Sequence, residues 1–204
     1  MKINYNYRKM YVYVHTHTHT HKNAILKESE MMPDDYFVTL EKYKHLQKEW
    51  VSKIPDSELE NAVMSWMWTK CSGSDEDWDN QLETISSLPK PCQDVYSTRT
   101  VIDEVNNGGL NQLFFNSTGQ FTLMAIDGFL AMGSPKLSST LEKAVVLYAQ
   151  NRDVLENYYD GTIEGFFASY EEKIFDKLEE GIFAAFKDID FVKYIRSNAD
   201  CFGY

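Results

Sequence analysis

The side chains best suited to orient a polar ligand are three amides in the middle of the chain. Gln112 and Asn116 are four residues apart and would share one face of a helix, and Asn107 precedes them. Amides can hold a ligand but cannot act as a base near neutral pH, so hydrolysis would need a carboxylate from Asp103 or Glu104. One hypothesis is therefore a small-molecule-binding or hydrolytic site built on these amides.

The same stretch, NNGGLNQLFFNSTGQ, also has the pattern of a structural joint. Gly108 and Gly109 are suited to end a helix, because glycine tolerates the left-handed conformation that a helix C-terminus often needs. Leu110, Leu113 and Phe114 then supply apolar side chains for the core. In this interpretation the neighbouring amides satisfy the exposed ends of the helices around the turn.

Histidines suggest a metal site only in the N-terminal segment. His15, His17, His19 and His21 alternate with Thr and would lie on one face of an extended strand. Such alternation is more typical of a low-complexity tract. We therefore interpret residues 1–30 as a disordered or loosely extended extension, which an incorrectly assigned start upstream of Met31 would explain, and we predict no metal site.

Elsewhere the sequence offers little catalytic chemistry. The remaining histidine, His45, falls on the polar side of a predicted helix, without a nucleophile motif or a glycine-rich phosphate loop. Cys71, Cys92 and Cys201 are odd in number and widely spaced, which favours reduced thiols. We predict no catalytic residues, no cofactor and no enzymatic activity.

Charge is distributed unevenly along the 204 residues. The net charge is −11, yet residues 1–30 carry five cations and two acids. The rest of the chain therefore has 15 cations and 29 acids, a net charge of −14. Such a body should repel nucleic acids and anionic membranes and attract basic proteins. Without a signal peptide or an apolar span, a cytoplasmic location is expected.

From residue 33 onward, apolar residues recur with a helical period. Pro and Ser-Pro signals open helices near Pro91 and Pro135, and glycine ends one at Gly133. The pattern predicts an all-α, single compact multi-helix domain over residues 31–204. Helices are expected over residues 34–50, 57–70, 91–105, 121–132 and 136–150, with further helices in the C-terminal third.

Acidic residues concentrate in that C-terminal third. We predict two runs, the second on a single helix, either of which could bind a basic partner. The candidate acids are Asp153, Glu156, Asp160, Glu164, Glu171, Glu172, Asp176, Glu179 and Glu180. Lys173 and Lys177 interrupt the second run, so ordinary ion pairing on a solvated helix face explains it equally well.

The middle stretch resembles a family signature. It is similar to the N-G-G-[FL]-x-Q-[FLW]-[FY]-x-N-x-x-G motif of a bacterial all-helical family, the nineteen-kilodalton DNA mimic protein-like family. The matching residues are Asn107, Gly108, Gly109, Gln112, Phe114, Phe115, Asn116 and Gly119. The ending Tyr194-Ile195-Arg196-Ser197-Asn198 resembles the family's closing Y-I-R-x-N. The resemblance is strongest over residues 82–204.

The resemblance implies a particular kind of function. The characterised member of the family resembles DNA in its surface charge and blocks a transcription factor from DNA. We accordingly expect a non-enzymatic acidic protein, monomeric or homodimeric, that binds a basic protein, with DNA-binding proteins as candidates. We expect it to bind neither nucleic acid nor membrane directly. An immunity-type protein that neutralises a toxin is an alternative, beside the hydrolytic hypothesis.

Overall fold

The computed structural model describes residues 41–71, 79–160 and 162–203. In these ranges the chain forms eleven α-helices and no strand, which confirms the all-α prediction. The first six are α1 (Lys48–Val51), α2 (Asp56–Cys71), α3 (Asp79–Ser86), α4 (Lys90–Phe115), α5 (Thr122–Ala131) and α6 (Pro135–Gln150). The others are α7 (Arg152–Glu156), α8 (Ile163–Ala168), α9 (Asp176–Glu179), α10 (Ile182–Phe186) and α11 (Phe191–Ser197). The predicted extension, residues 1–30 with its histidines, lies outside the described residues.

Local sequence signals place several helix ends where they were predicted. Pro91 occupies the first turn of α4, where a missing backbone N–H costs nothing. Helix α6 begins at Pro135, directly after Ser134. At the end of α5, Gly133 adopts a φ of 80°, the left-handed conformation expected of a glycine that stops a helix.

The prediction of one helix over residues 34–50 is wrong. Residues 41–43 are helical, but the chain then turns, and α1 begins only at Lys48. Gln47 is extended (φ −107°, ψ 146°), and the C-terminal backbone crosses at this point. A Cβ on Gly203 would lie 2.7 Å from the carbonyl carbon of Gln47, so the C-terminal chain packs directly on the backbone where the helix is interrupted.

The core is built around α4, α5 and α6. Helix α5 packs against both of the longer helices. Its approach to α4 depends on Gly128, where a Cβ would lie 3.0 Å from the Asp94 carbonyl oxygen. Phe121 and Phe129 are fully buried beside this contact. Helix α2 packs on α4 and α11, and the short C-terminal helices cover α6.

Candidate functional site

Helix α4 contains a joint at Gly108 and Gly109. Gly109 has φ 69° and ψ −169°, a conformation essentially restricted to glycine, and Gly108 also leaves the helical region (φ −155°, ψ 29°). The two glycines therefore divide α4 into a long first part and a short second part ending at Phe115. We call residues 107–119, together with Glu104, the glycine joint.

Groups from the C-terminal third satisfy the backbone that the joint frees. The N–H of Leu110 donates to Oε1 of Glu179 at 2.6 Å, and the hydroxyl of Tyr170 donates to the carbonyl oxygen of Gly108 at 2.6 Å. A Cβ on Gly109 would collide with the Glu179 carboxylate. Burial and the nearby Glu179 charge raise the pKa of Tyr170 to about 12, which keeps its hydroxyl protonated as a donor.

Glu104 connects the two parts of α4 across the joint. Its Oε2 accepts hydrogen bonds from the side-chain amides of Gln112 (2.9 Å) and Asn116 (2.8 Å). Its Oε1 accepts from the hydroxyl of Thr118 at 2.6 Å. Glu104 precedes the glycines, whereas all three donors follow them, so this carboxylate fixes the angle between the two segments.

Apolar residues of the joint fill the core, as the sequence indicated. Leu110 and Leu113 are completely buried, and the Phe114 ring stacks on Tyr148 with centroids 4.6 Å apart. At the far end of the joint, a Cβ on Gly119 would lie 2.6 Å from the Leu113 carbonyl oxygen. The turn at the end of the joint can therefore close only around a glycine.

The amides were predicted to satisfy the exposed helix ends, but their side chains bind other side chains instead. Gln112 and Asn116 bind the Glu104 carboxylate, and the Asn111 side chain donates to the hydroxyl of Ser169 at 3.0 Å. The sequence indicated Glu104 as a carboxylate near the amides, but not that it binds them, because it lies eight to fourteen residues from its donors. Asn107 is exposed and takes no part in these contacts.

The other carboxylate considered for hydrolysis is also paired. Asp103 accepts from Nε of Arg99 at 2.9 Å, and the same guanidinium donates to Glu60. Between them, Asp103 and Glu104 thus bind one arginine, two amides and one hydroxyl. The structure brings Glu104, Gln112 and Asn116 together, but as a closed hydrogen-bonded set.

The closing Tyr194–Asn198 stretch also lies at internal contacts. The Tyr194 hydroxyl donates to Oδ2 of Asp94 at 2.6 Å, a carboxylate that is almost fully buried and also binds Lys90. Arg196 donates to the carbonyl oxygens of Val51 and Ile54 and to Asp56. Through Arg196, the C-terminus holds the link between α1 and α2.

A family model described as DMP19-like protein matches residues 86–198, more than half of the chain. The chain belongs to the DMP19-like family. The matched range includes both the glycine joint and the Tyr194–Asn198 stretch, in agreement with the resemblance seen in the sequence. No curated protein and no solved structure matches this chain.

The second acidic run of this DMP19-like chain does not lie on one helix, contrary to the prediction. Glu171 and Glu172 belong to a 3₁₀ turn, which ends at Lys173 in the left-handed conformation (φ 53°). Asp176 and Glu179 lie on the short α9, and Glu180 follows it. Phe175 is buried against Phe114, and this docking interrupts the helix.

The candidate acids differ in their exposure to solvent. Glu179 is half-buried at the joint, and Glu156 is half-buried in an ion pair with Arg152 at 2.7 Å. The exposed members are Asp153, Asp160, Glu164, Glu171, Glu172, Asp176 and Glu180. Five of these fall within residues 153–172, a stretch that contains six acids and no Lys, Arg or His. We call it the acidic segment.

One aromatic side chain of the acidic segment lies on the surface. Phe167 on α8 has 64% of its surface accessible, and Ile163 on the same helix has 43%. Helical spacing alone gives no signal of this exposure, because adjacent helix positions can both be buried, as Trp66 and Met67 are on α2.

The described residues contain no further candidate for a metal site, a reactive buried thiol or a membrane-spanning helix. Among the described residues, no group of three His, Cys, Asp or Glu side chains is placed to hold a metal ion. Burial raises the pKa of the Cys92 thiol to about 12 and that of Cys71 to about 11, which makes both poor nucleophiles. No helix in the described ranges has the length and apolarity to cross a membrane.

Proposed function

We propose that this protein is a non-enzymatic interaction protein that binds a basic DNA-binding protein and occupies the surface where that partner binds DNA. The observation that carries the proposal is the acidic segment, where five exposed carboxylates occur without a cation in 20 residues. Membership of the DMP19-like family supports it, as does the net charge of −14 over residues 31–204.

The hydrogen bonding of the glycine joint supports a non-enzymatic role. Glu104 is the carboxylate nearest the amides, and it already accepts three hydrogen bonds. A general base needs a free lone pair directed at its substrate. These three donors use most of the lone pairs of the Glu104 carboxylate, and no observation favours the hydrolytic alternative.

The test is affinity capture from the native host at low salt, followed by competition with duplex DNA. Since the attraction is between charged surfaces, we expect binding to weaken as salt increases and duplex DNA to displace the protein. Captured partners that do not bind DNA, or a complex that DNA leaves intact, would contradict the proposal. A captured toxin enzyme would support the immunity alternative.

A pair of charge-matched variants locates the binding surface. The test variant combines Asp153→Asn, Glu164→Gln and Glu171→Gln, three exposed positions in the acidic segment. The control neutralises three exposed acids elsewhere, through Glu83→Gln, Glu142→Gln and Asp188→Asn. Both variants lose three negative charges. We expect the test variant to weaken binding by about tenfold or more, because a single close interfacial charge pair already contributes about 1.5 kcal/mol. Equal weakening in the control would mean that net charge alone drives binding.

A further inference from the structure

The acidic segment presents two apolar side chains to solvent together. Ile163 and Phe167 are four residues apart on α8 and therefore share one face of the helix. Their exposed fractions are 43% and 64%, and Phe167 is the most exposed large hydrophobic side chain among the described residues. A solvated helix face has no need of such a pair, and paired exposed apolar groups commonly mark binding surfaces.

Helix α8 is held firmly in the orientation that exposes them. The Thr162 hydroxyl accepts a hydrogen bond from the Gly165 N–H at 2.9 Å, and Asp160 in turn accepts from the Thr162 N–H at 2.9 Å. A Cβ on Gly165 would lie 2.5 Å from the Tyr158 carbonyl oxygen, so α8 is pressed against the preceding chain.

Phe166 anchors the helix to the glycine joint. Its ring packs against Phe115 of the glycine joint, with centroids 4.7 Å apart, and edge-on against Tyr170 at 5.2 Å. Phe166 is half-buried by these contacts while its neighbour Phe167 remains exposed. The exposure of Phe167 is thus a consequence of packing, and little ordering is required when a partner covers it.

The charges around the pair define what could cover it. Glu164 lies between Ile163 and Phe167 on α8, and Glu171 follows Phe167 by four residues; both are exposed. A second copy of this surface would bring like charges together, and an anionic membrane would be repelled. The complementary occupant is a protein surface on which apolar side chains are bordered by Lys and Arg.

We propose that Ile163 and Phe167 form an apolar anchor that packs into an apolar patch bordered by cations on the partner protein. This inference rests on the proposed function only in taking the partner to be basic. It adds a component that DNA itself does not have, because a phosphate backbone offers no apolar side chain. Part of the affinity should therefore persist at salt concentrations that screen the charges.

Two synthetic peptides of equal length and charge distinguish the contribution of the apolar anchor to binding from that of the charges. One is an 18-residue Lys/Leu sequence patterned as an amphipathic helix, and the other has Ser in place of every Leu. Titration by calorimetry uses the full chain at 0.05 and 0.5 M NaCl. We expect the Lys/Leu peptide to bind more tightly and to retain binding at high salt, whereas the Lys/Ser peptide should lose it.

Substitutions test whether the difference in affinity between the two peptides depends on the apolar anchor. Phe167→Ser should weaken the Lys/Leu peptide by about tenfold, the loss expected for one buried aromatic contact, and leave the Lys/Ser peptide unchanged. Leu130→Ser is the matched control, because Leu130 is 58% exposed and lies outside the acidic segment. It should change neither affinity. Because Phe167 and Leu130 are both exposed, both variants should fold normally, which circular dichroism will check.

Other outcomes would overturn the inference in distinguishable ways. Equal binding of both peptides, with no effect of Phe167→Ser, would remove the anchor while leaving the charge-based function intact. Failure of either peptide to bind at 0.05 M NaCl would count against the proposed function as well. A dimer that dissociates on Phe167→Ser in sedimentation would make the face a contact between two copies. Flotation with neutral phosphatidylcholine vesicles that depends on Phe167 would assign it to a lipid surface.

Discussion

The glycine joint and the acidic segment are both rich in polar residues, but they use them in opposite ways. In the joint, Glu104 and Glu179 bind amide, hydroxyl and backbone donors within the chain. In the acidic segment, carboxylates such as Glu164 and Glu171 are exposed. A carboxylate that is already bonded stabilises the fold, whereas an exposed one without a cation nearby is available to a partner.

The two regions are also in direct contact. Phe115 of the joint packs against Phe166 and, edge-on at 5.0 Å, against Tyr159 of the acidic segment. Tyr170 belongs to the acidic segment and donates to Gly108 of the joint. The family motif thus has a structural connection to the proposed binding surface, although it need not touch the partner. Variants of each region should separate stability from binding.

Gly109→Ala should have the largest effect on stability. The φ of 69° and ψ of −169° lie outside the regions open to alanine, and the new Cβ would collide with the Glu179 carboxylate. We expect a loss of roughly 3 kcal/mol or more in the free energy of unfolding, from backbone strain and the broken Glu179 hydrogen bond. Urea denaturation followed by circular dichroism measures it.

Gly133→Ala is the control for that experiment. Gly133 also has a positive φ, 80°, but nothing lies within 4 Å of where its Cβ would be. It should cost only the intrinsic left-handed penalty of about 1–2 kcal/mol. Equal losses for the two variants would show that the Glu179 contact contributes nothing to the joint.

Glu104→Gln should have an intermediate effect. The substitution replaces one acceptor oxygen by an NH₂ group that faces the Thr118 hydroxyl or the two amides. We expect a loss of about 1–3 kcal/mol in the free energy of unfolding, with peptide binding at the acidic segment unchanged. Asp103→Asn removes the neighbouring carboxylate from an exposed ion pair and should cost less than about 1 kcal/mol.

Glu164→Gln in the acidic segment should have the opposite effects to Glu104→Gln in the joint. Glu164→Gln should leave the unfolding free energy nearly unchanged while weakening the basic peptides, because Glu164 is exposed. If Glu164→Gln instead destabilised the protein as much as Glu104→Gln, the distinction between the two regions would be wrong.

The parts of this structure that could be predicted from the sequence depend on neighbouring residues. Pro91 and the Ser134-Pro135 pair open helices where expected, and Gly108-Gly109 breaks a helix where expected, because these residues restrict their own backbone. These local signals sufficed for the fold class and for the joint.

The parts that could not be predicted depend on residues distant in sequence. Glu179 lies 69 residues from the Leu110 N–H that it binds, and Arg196 lies 145 residues from the Val51 carbonyl. The sequence therefore grouped Glu179 with the exposed acids, although it serves the joint. The exposure of Phe167 likewise depends on how Phe166 packs against Phe115, which helical spacing alone does not reveal.

Tyr170→Phe should have the smallest effect at neutral pH and a distinct one at alkaline pH. Loss of the hydroxyl leaves the Gly108 carbonyl without this donor, at a cost of about 1 kcal/mol. In the folded protein the pKa of Tyr170 is raised from 10.0 to about 12, whereas the unfolded chain releases this proton near pH 10. The stabilisation is therefore fully present below pH 10 and is lost as the pH rises toward 12.

The melting temperature measured from pH 9 to pH 12 tests this. Wild type should lose stability across that window, and Tyr170→Phe should lose less, because it lacks one of the linked protons. Tyr158→Phe gives the contrast with the acidic segment: the Glu172 carboxylate raises the pKa of Tyr158, but the phenol is solvent-exposed, so removing it should change the slope less. If Tyr158→Phe flattened the pH dependence more than Tyr170→Phe did, the charged surface, rather than the buried joint, would govern alkaline stability.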